Sequence, residues 1–218
     1  MTRRASLAAI YAALVSILLA RSLTRGAAAE QPIRILALGD SLTQGFGLPL
    51  GSDFPAQLER ALKARGHDVA VINAGVSGDT STGGLSRLDW SLADDPDAAI
   101  VEFGGNDALR GIAPDVTERN LDAMLEKLAA RGVPALFAGM LAPRNMGPDF
   151  AARFDAIYPR LAEKHGVLFY PFFLDGVMFD PSLMQNDGTH ANAAGVAEIV
   201  RRMLPLAEQL ITRAKARR

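Results

Sequence analysis

The chain contains no cysteine, which excludes disulfides, thiolate catalysis and any zinc site built on cysteine. Its three histidines, His67, His165 and His190, are too scattered to suggest a metal cluster, so no metal is expected. Basic residues do not outnumber acidic ones, and the net charge of −1 lacks the basic stripe that nucleic-acid binding requires. The uncharged stretch near the start, residues 5–20, falls short of the ~20 residues that usually span a bilayer. No Gly-x-Ser-x-Gly elbow occurs. The glycine-containing stretch 39–47 lacks both the Gly-Lys-Ser/Thr ending of a phosphate loop and the Gly-x-Gly-x-x-Gly spacing of a dinucleotide fold. There is no internal repeat and no low-complexity segment.

What is present suits one globular domain: 218 residues, 49% hydrophobic and 22% charged, are enough for a full core. The first residues read differently. Arg3 and Arg4 precede an apolar stretch, and Ala27, Ala28 and Ala29 offer a small-residue cleavage site. This is the three-part form of a secretory signal peptide, so residues 1–29 are expected to direct export and residues 30–218 to form the domain. Arg21 and Arg25 fall between the apolar stretch and the cut, which keeps an uncleaved membrane anchor as the alternative.

From Pro32 onward, strand-like and helical patterns alternate. Strands are predicted at residues 33–38, 69–72, 98–103, 134–140 and 167–172. Helices are predicted at 54–64, 115–130, 150–164 and 193–214, with a shorter one within 82–92. Arg65-Gly66, Arg131-Gly132 and His165-Gly166 supply stop signals: a basic last turn followed by glycine. Continuous apolar strands alternating with helices predict an α/β fold, a flavodoxin-like, three-layer α/β/α arrangement around five parallel strands.

In such a fold chemistry collects at the carboxyl ends of the strands. Four of those ends carry polar, turn-forming residues: Asp40-Ser41, Asn73 to Thr80, Gly104 to Asp107, and a late excursion ending in Asp187-Gly188-Thr189-His190. A nucleophilic serine needs a base, a group to orient the base, and donors for an oxyanion. His67 and His165 precede strands and belong to the opposite edge. Elimination leaves His190 as the base for Ser41, with Asp187 three residues earlier to orient it. The plain alternative for that segment is a helix start with a capping aspartate and an incidental histidine. Gly78 offers a backbone N–H and Asn106 a side-chain amide; read without function, each is an ordinary turn residue. Ser77, Asp79 and Asp107 are read as structural, and Trp90 and the Phe172-Phe173 pair as core or groove-lining residues.

These blocks, GDSL around Ser41, NAGVSGDT around Gly78, GGND around Asn106 and DGTH with Asp187 and His190, resemble those of the SGNH, or GDSL, hydrolases. The chain is most similar to the bacterial periplasmic branch of acyl thioesterases, lysophospholipases and arylesterases. The resemblance implies a serine esterase or thioesterase with Ser41, His190 and Asp187 as catalytic residues. It also implies an oxyanion hole formed by Ser41, Gly78 and Asn106. No cofactor is implied. The implied partner is a small-molecule acyl ester or thioester, met by a monomer with at most transient contact with a membrane or lipid. The loop 141–148 would shape the acyl pocket, so Leu141, Pro143, Asn145 and Met146, with Asp40 and Leu42 beside the nucleophile, are expected to bind substrate. A carbohydrate O-deacetylase of the same fold and a non-catalytic flavodoxin-like binding module are the alternatives.

Overall fold

The structure is a computed structural model and describes residues 31–218. The signal-peptide reading lies outside the described residues. Five parallel strands form one sheet: β1 (Ile33–Gly39), β2 (Val69–Gly75), β3 (Ala98–Glu102), β4 (Ala135–Ala138) and β5 (Leu168–Tyr170). Their spatial order is β2-β1-β3-β4-β5, the flavodoxin-like order. Every residue of β3 and β4 is buried, which is why these strands read as apolar runs, broken only by Glu102 at the end of β3.

Helices α2 (Phe54–Ala64) and α8 (Ala193–Arg217) pack together on one face. Helices α3 (Ser81–Ser91), α5 (Pro114–Ala130) and α7 (Ile157–His165) cover the other. Local chemistry sets their ends. Asp53 caps α2 by accepting the Ala56 N–H at 3.0 Å, and Asn192 caps α8 by accepting those of Ala194 and Gly195. Burying α2's Phe54, Leu58 and Leu62 stabilises the fold by roughly 1.5–3 kcal/mol per side chain.

Several details depart from the sequence reading. β4 and β5 are shorter than the predicted 134–140 and 167–172. The predicted helix over residues 150–164 is two helices, α6 (Pro148–Asp155) and α7, broken at Ala156. Pro159 explains the break: it has no N–H for the Asp155 carbonyl and its ring crowds that oxygen. β2 extends to Gly75 because pairing with β1 carries through to Gly39↔Gly75. Trp90 is 81% exposed, neither core nor groove lining. It sits two residues from Leu88 and from Leu92, which turn inward, so it faces away from the sheet.

Strand order has a consequence for function. The chain runs outward from β1 to β2, then returns to place β3 on the other side of β1. The turns after β1 and β3 therefore flank the switch point of the sheet, where ligands of open α/β folds bind.

Candidate active site

Ser41 opens the one-turn helix α1 (Ser41–Gln44) directly after β1. Asp40 caps this turn, accepting the Leu42 N–H at 2.9 Å, and Gly45 closes it in the left-handed conformation. Gly39 is required by close packing: a Cβ there would meet Thr43 Oγ1 at 2.1 Å and Glu102 Oε2 at 2.7 Å. As the first residue of a helix, Ser41 has no intrahelical acceptor for its own N–H.

His190 arrives from the loop after β5. Asp187 Oδ1 accepts the backbone N–H groups of Thr189 at 2.9 Å and His190 at 3.0 Å, folding the four residues into a tight turn. The other oxygen, Oδ2, lies 2.7 Å from His190 Nδ1, and His190 Nε2 lies 2.8 Å from Ser41 Oγ. Desolvation works to raise the Asp187 carboxyl, but those two N–H groups and the His190 ring outweigh it and hold it at about 2. Asp187 is therefore an acceptor and Nδ1 donates to it, which leaves Nε2 facing the serine hydroxyl. The helix-start alternative for this segment fails, because the cap of α8 is Asn192. Gln185 ties the two loops together, donating to the carbonyls of Phe46 and Ala191. The Phe46 ring lies 4.9 Å from the His190 ring.

Gly78 and Asn106 come to the same place. Gly78 has φ +81°, a conformation that other residues adopt only under strain, and Arg110 holds its carbonyl at 2.8 Å. Asn106 lies in α4 (Gly105–Leu109), reached through Gly104. Its amide nitrogen donates to Asp40 Oδ2 and to the Asp79 carbonyl, both at 2.9 Å. Among the described residues, the Ser41 and Gly78 N–H groups donate to no other protein group. Asp40 is 2% exposed, and burial pushes its carboxyl up to about 6 against the lowering effect of the Leu42 N–H and the Asn106 amide.

Ser41, Gly78, Asn106 and His190 all line one cavity of about 400 Å³, with Asp40 and Leu42 beside them. That volume suits a small ligand. Leu141 and Pro143 also line it. Asn145 and Met146 do not: they lie on a 3₁₀ turn (Arg144–Met146) outside the cavity. The reason is Asp155, which binds both the Ala142 N–H and the Arg144 guanidinium and pins this part of the loop against α6. Residues missed by sequence reasoning complete the wall: Phe46, Leu109, Met140, Leu174 and Met178. Each looks like an ordinary apolar residue in sequence, and no local signal separates it from the core.

Of the residues set aside, Ser77 also lines the cavity, and the others make contacts within the fold. Asp79 pairs with Arg87 at 2.7 Å. Asp107 is buried and accepts from Ser81 and Thr117. Ser77 contacts the Gln44 side chain. His67 pairs with Glu208, and His165 with Asp122, each in the segment before a strand. Among the described residues, no cluster of three or more candidate ligands is placed to hold a metal ion.

The model of the GDSL-like lipase/acylhydrolase family matches residues 37–197. The chain belongs to that family. Similar proteins include the esterase TesA of Pseudomonas aeruginosa strain PAO1, 37% identical over 87% of this chain and 93% of its own length. Another is thioesterase 1/protease 1/lysophospholipase L1 of Escherichia coli K12, 39% identical over 77% of this chain and 78% of its own. Among solved structures, AlinE4, described as an SGNH-hydrolase family esterase, is 46% identical. It superposes with a TM-score of 0.70 over 82% of this chain and 96% of its own.

Proposed function

We propose that this chain hydrolyses acyl esters and thioesters through an acyl-enzyme on Ser41. The observation that carries the reading is the continuous contact from Asp187 through His190 to the Ser41 hydroxyl, which opens into an apolar-walled cavity. In the first step Ser41 Oγ attacks the carbonyl carbon while its proton passes to His190 Nε2. The carbonyl electrons move onto oxygen, which meets the Ser41 and Gly78 N–H groups and the Asn106 amide. An oxyanion competes well for the amide proton that the neutral Asp79 carbonyl holds at rest. His190 then gives its proton to the departing alkoxide or thiolate. Water repeats the sequence on the acyl-serine and releases the acid.

The cavity wall supports an apolar acyl group over the acetyl group of a sugar, because Phe46, Leu109, Met140, Leu141, Leu174 and Met178 offer few partners to hydroxyls. Every group in the mechanism comes from a single chain, which supports action as a monomer. The amino-terminal pattern supports export, and mass spectrometry of the mature amino terminus distinguishes cleavage after Ala29 from a retained anchor. Among the described residues, no helix is long and apolar enough to cross a membrane.

The test is a chain-length series of chromogenic esters and acyl thioesters, run on wild type and Ser41→Ala. Each methylene that enters the cavity should raise kcat/KM about fourfold, following ~0.8 kcal/mol per buried CH₂, until the cavity is full. Ser41→Ala should lose turnover and fluorophosphonate labelling. A Ser41→Ala protein that still labels removes Ser41 as nucleophile. A strong preference for an acetylated sugar turns the reading to the deacetylase.

A further inference from the structure

One ionisable group beneath the site takes no part in this chemistry. Glu102 ends β3 after four apolar residues, and its side chain has no solvent exposure. It lies under the nucleophile turn: Gly39 is its register partner, and Thr43 donates its hydroxyl to Oε2 at 2.8 Å. The Asp40 N–H reaches the same oxygen from 3.4 Å. Oε1 has no hydrogen-bond partner. The Asp40 carboxyl is itself buried, and the Asp40 N–H contact makes the two acids neighbours.

Among the described residues, no cation compensates this pair. The neighbouring Arg87 guanidinium directs its donors to Asp79, the Ala74 carbonyl and the Gly39 carbonyl. Two adjacent buried carboxylates without a counter-ion do not both ionise; one proton between them removes the conflict. The hydrogen bonds say which group keeps the charge. Asp40 accepts two N–H donors, from Leu42 and Asn106, whereas Glu102 has one hydroxyl and one long contact.

We propose that Glu102 is protonated at neutral pH and donates a hydrogen bond to the Asp40 carboxylate, acting as a positioning residue that fixes the Asn106 amide and the Ser41 turn. The proposal rests on the acyl-enzyme reading above. The proton stays on the carboxyl pair throughout turnover. Burial, and then the charge of Asp40, push Glu102 well above the ordinary carboxylate range, in line with this assignment. His190 acts on the pair from the side of Asp40, and the pair in turn, with Asp107 and Asp155, acts on the buried Tyr158. Tyr158 donates to the Phe103 carbonyl, and Asp107 accepts from Ser81 and Thr117.

The experiment combines infrared spectroscopy at neutral pH with steady-state kinetics on a chromogenic ester, using wild type, Glu102→Gln, Glu102→Leu and Thr43→Val. Wild type should show the carbonyl stretch of a buried protonated carboxylic acid, and Glu102→Gln should lose it. Glutamine is shaped like the neutral acid and donates in its place, so Glu102→Gln should keep most of the wild-type kcat. Glu102→Leu should lose on the order of a hundredfold in kcat with KM unchanged, the mark of a displaced site. Should Glu102→Leu fail to fold, Thr43→Val serves instead. It frees Oε2 and should lower kcat with KM unchanged.

Absence of the band in wild type, or its persistence in Glu102→Gln, overturns the proposal. So does a folded Glu102→Leu or Thr43→Val with wild-type kcat, or a Glu102→Gln as impaired as the leucine variant. Failure of the underlying reading looks different: wild type would neither turn over esters nor label with a fluorophosphonate, while the infrared band would still report the protonation state of Glu102.

Discussion

Asn106→Ala tests the largest number of claims at once. The side chain has two jobs in the structure, and they separate in measurement. As an oxyanion donor its loss should cost about 3 kcal/mol of transition-state stabilisation, a hundred- to a thousandfold in kcat. As a donor to Asp40 Oδ2 it also satisfies an oxygen of a carboxyl that is almost wholly buried. Leaving that oxygen without a partner should cost about 1–3 kcal/mol of stability. The second cost depends on pH. The Asn106 bond lowers the Asp40 carboxyl, so removing it raises that group further. A folded-state value raised above the unfolded one means stability present at low pH and lost as pH rises. Asn106→Ala should therefore be less destabilised in acid, where Asp40 is protonated, than in alkaline solution. The assay is ester turnover per active site, with sites counted by fluorophosphonate labelling run to completion, beside urea unfolding at acidic and alkaline pH. A near-wild-type rate per site would refute the oxyanion role. A stability loss that does not change with pH would refute the Asp40 argument and leave the oxyanion role standing.

Three further outcomes follow from the geometry. Asp187→Asn keeps an acceptor for the Thr189 and His190 N–H groups but presents an amide donor to Nδ1, which favours the wrong ring tautomer. Turnover should fall by roughly 10³–10⁴ with the melting temperature unchanged; a loss below about tenfold would remove Asp187 as the orienting group. Gly39→Ala forces a methyl group into Thr43 and Glu102 and should cost about 1–3 kcal/mol or more in urea unfolding, although Gly39 needs no unusual backbone angle. Finally, burial of Asp40 gives wild type a stability contribution that is full below about pH 4 and lost as pH rises through about 6. The stability of wild type relative to Asp40→Asn should accordingly drop by up to ~3 kcal/mol over that interval, and a difference independent of pH would show that the carboxyl is not desolvated.

Much of the site was legible because its parts are local. Asp187 and His190 form one turn, Asp40 caps the turn that Ser41 begins, and Gly78 supplies its own backbone conformation. Each leaves a short pattern of turn residues after an apolar run. The choice of His190 over His67 and His165 needed only the direction of the strands. What the pattern missed is non-local. The loop 141–148 was expected to contribute Asn145 and Met146, but an ion pair between Arg144 and Asp155 decides which residues of that loop face the cavity. Met178 and Leu174 line it from the excursion after β5. Glu102 did leave a trace, one acid in an otherwise apolar strand, but only the fold shows that it lies under the nucleophile.

The sequence by itself determined the elements and the chemistry at their ends. Apolar periodicity, caps and glycine stops act over a few residues, so the chain states them directly. Tertiary structure decided who meets whom. Ser41 and His190 are 149 residues apart and meet at 2.8 Å. Asp40 and Asn106 are 66 apart and bond because β3 returns beside β1 rather than beside β2. Strand order is settled by packing of the whole sheet against both helical layers. That same packing buries the Asp40 and Glu102 carboxyls together, which no local pattern encodes.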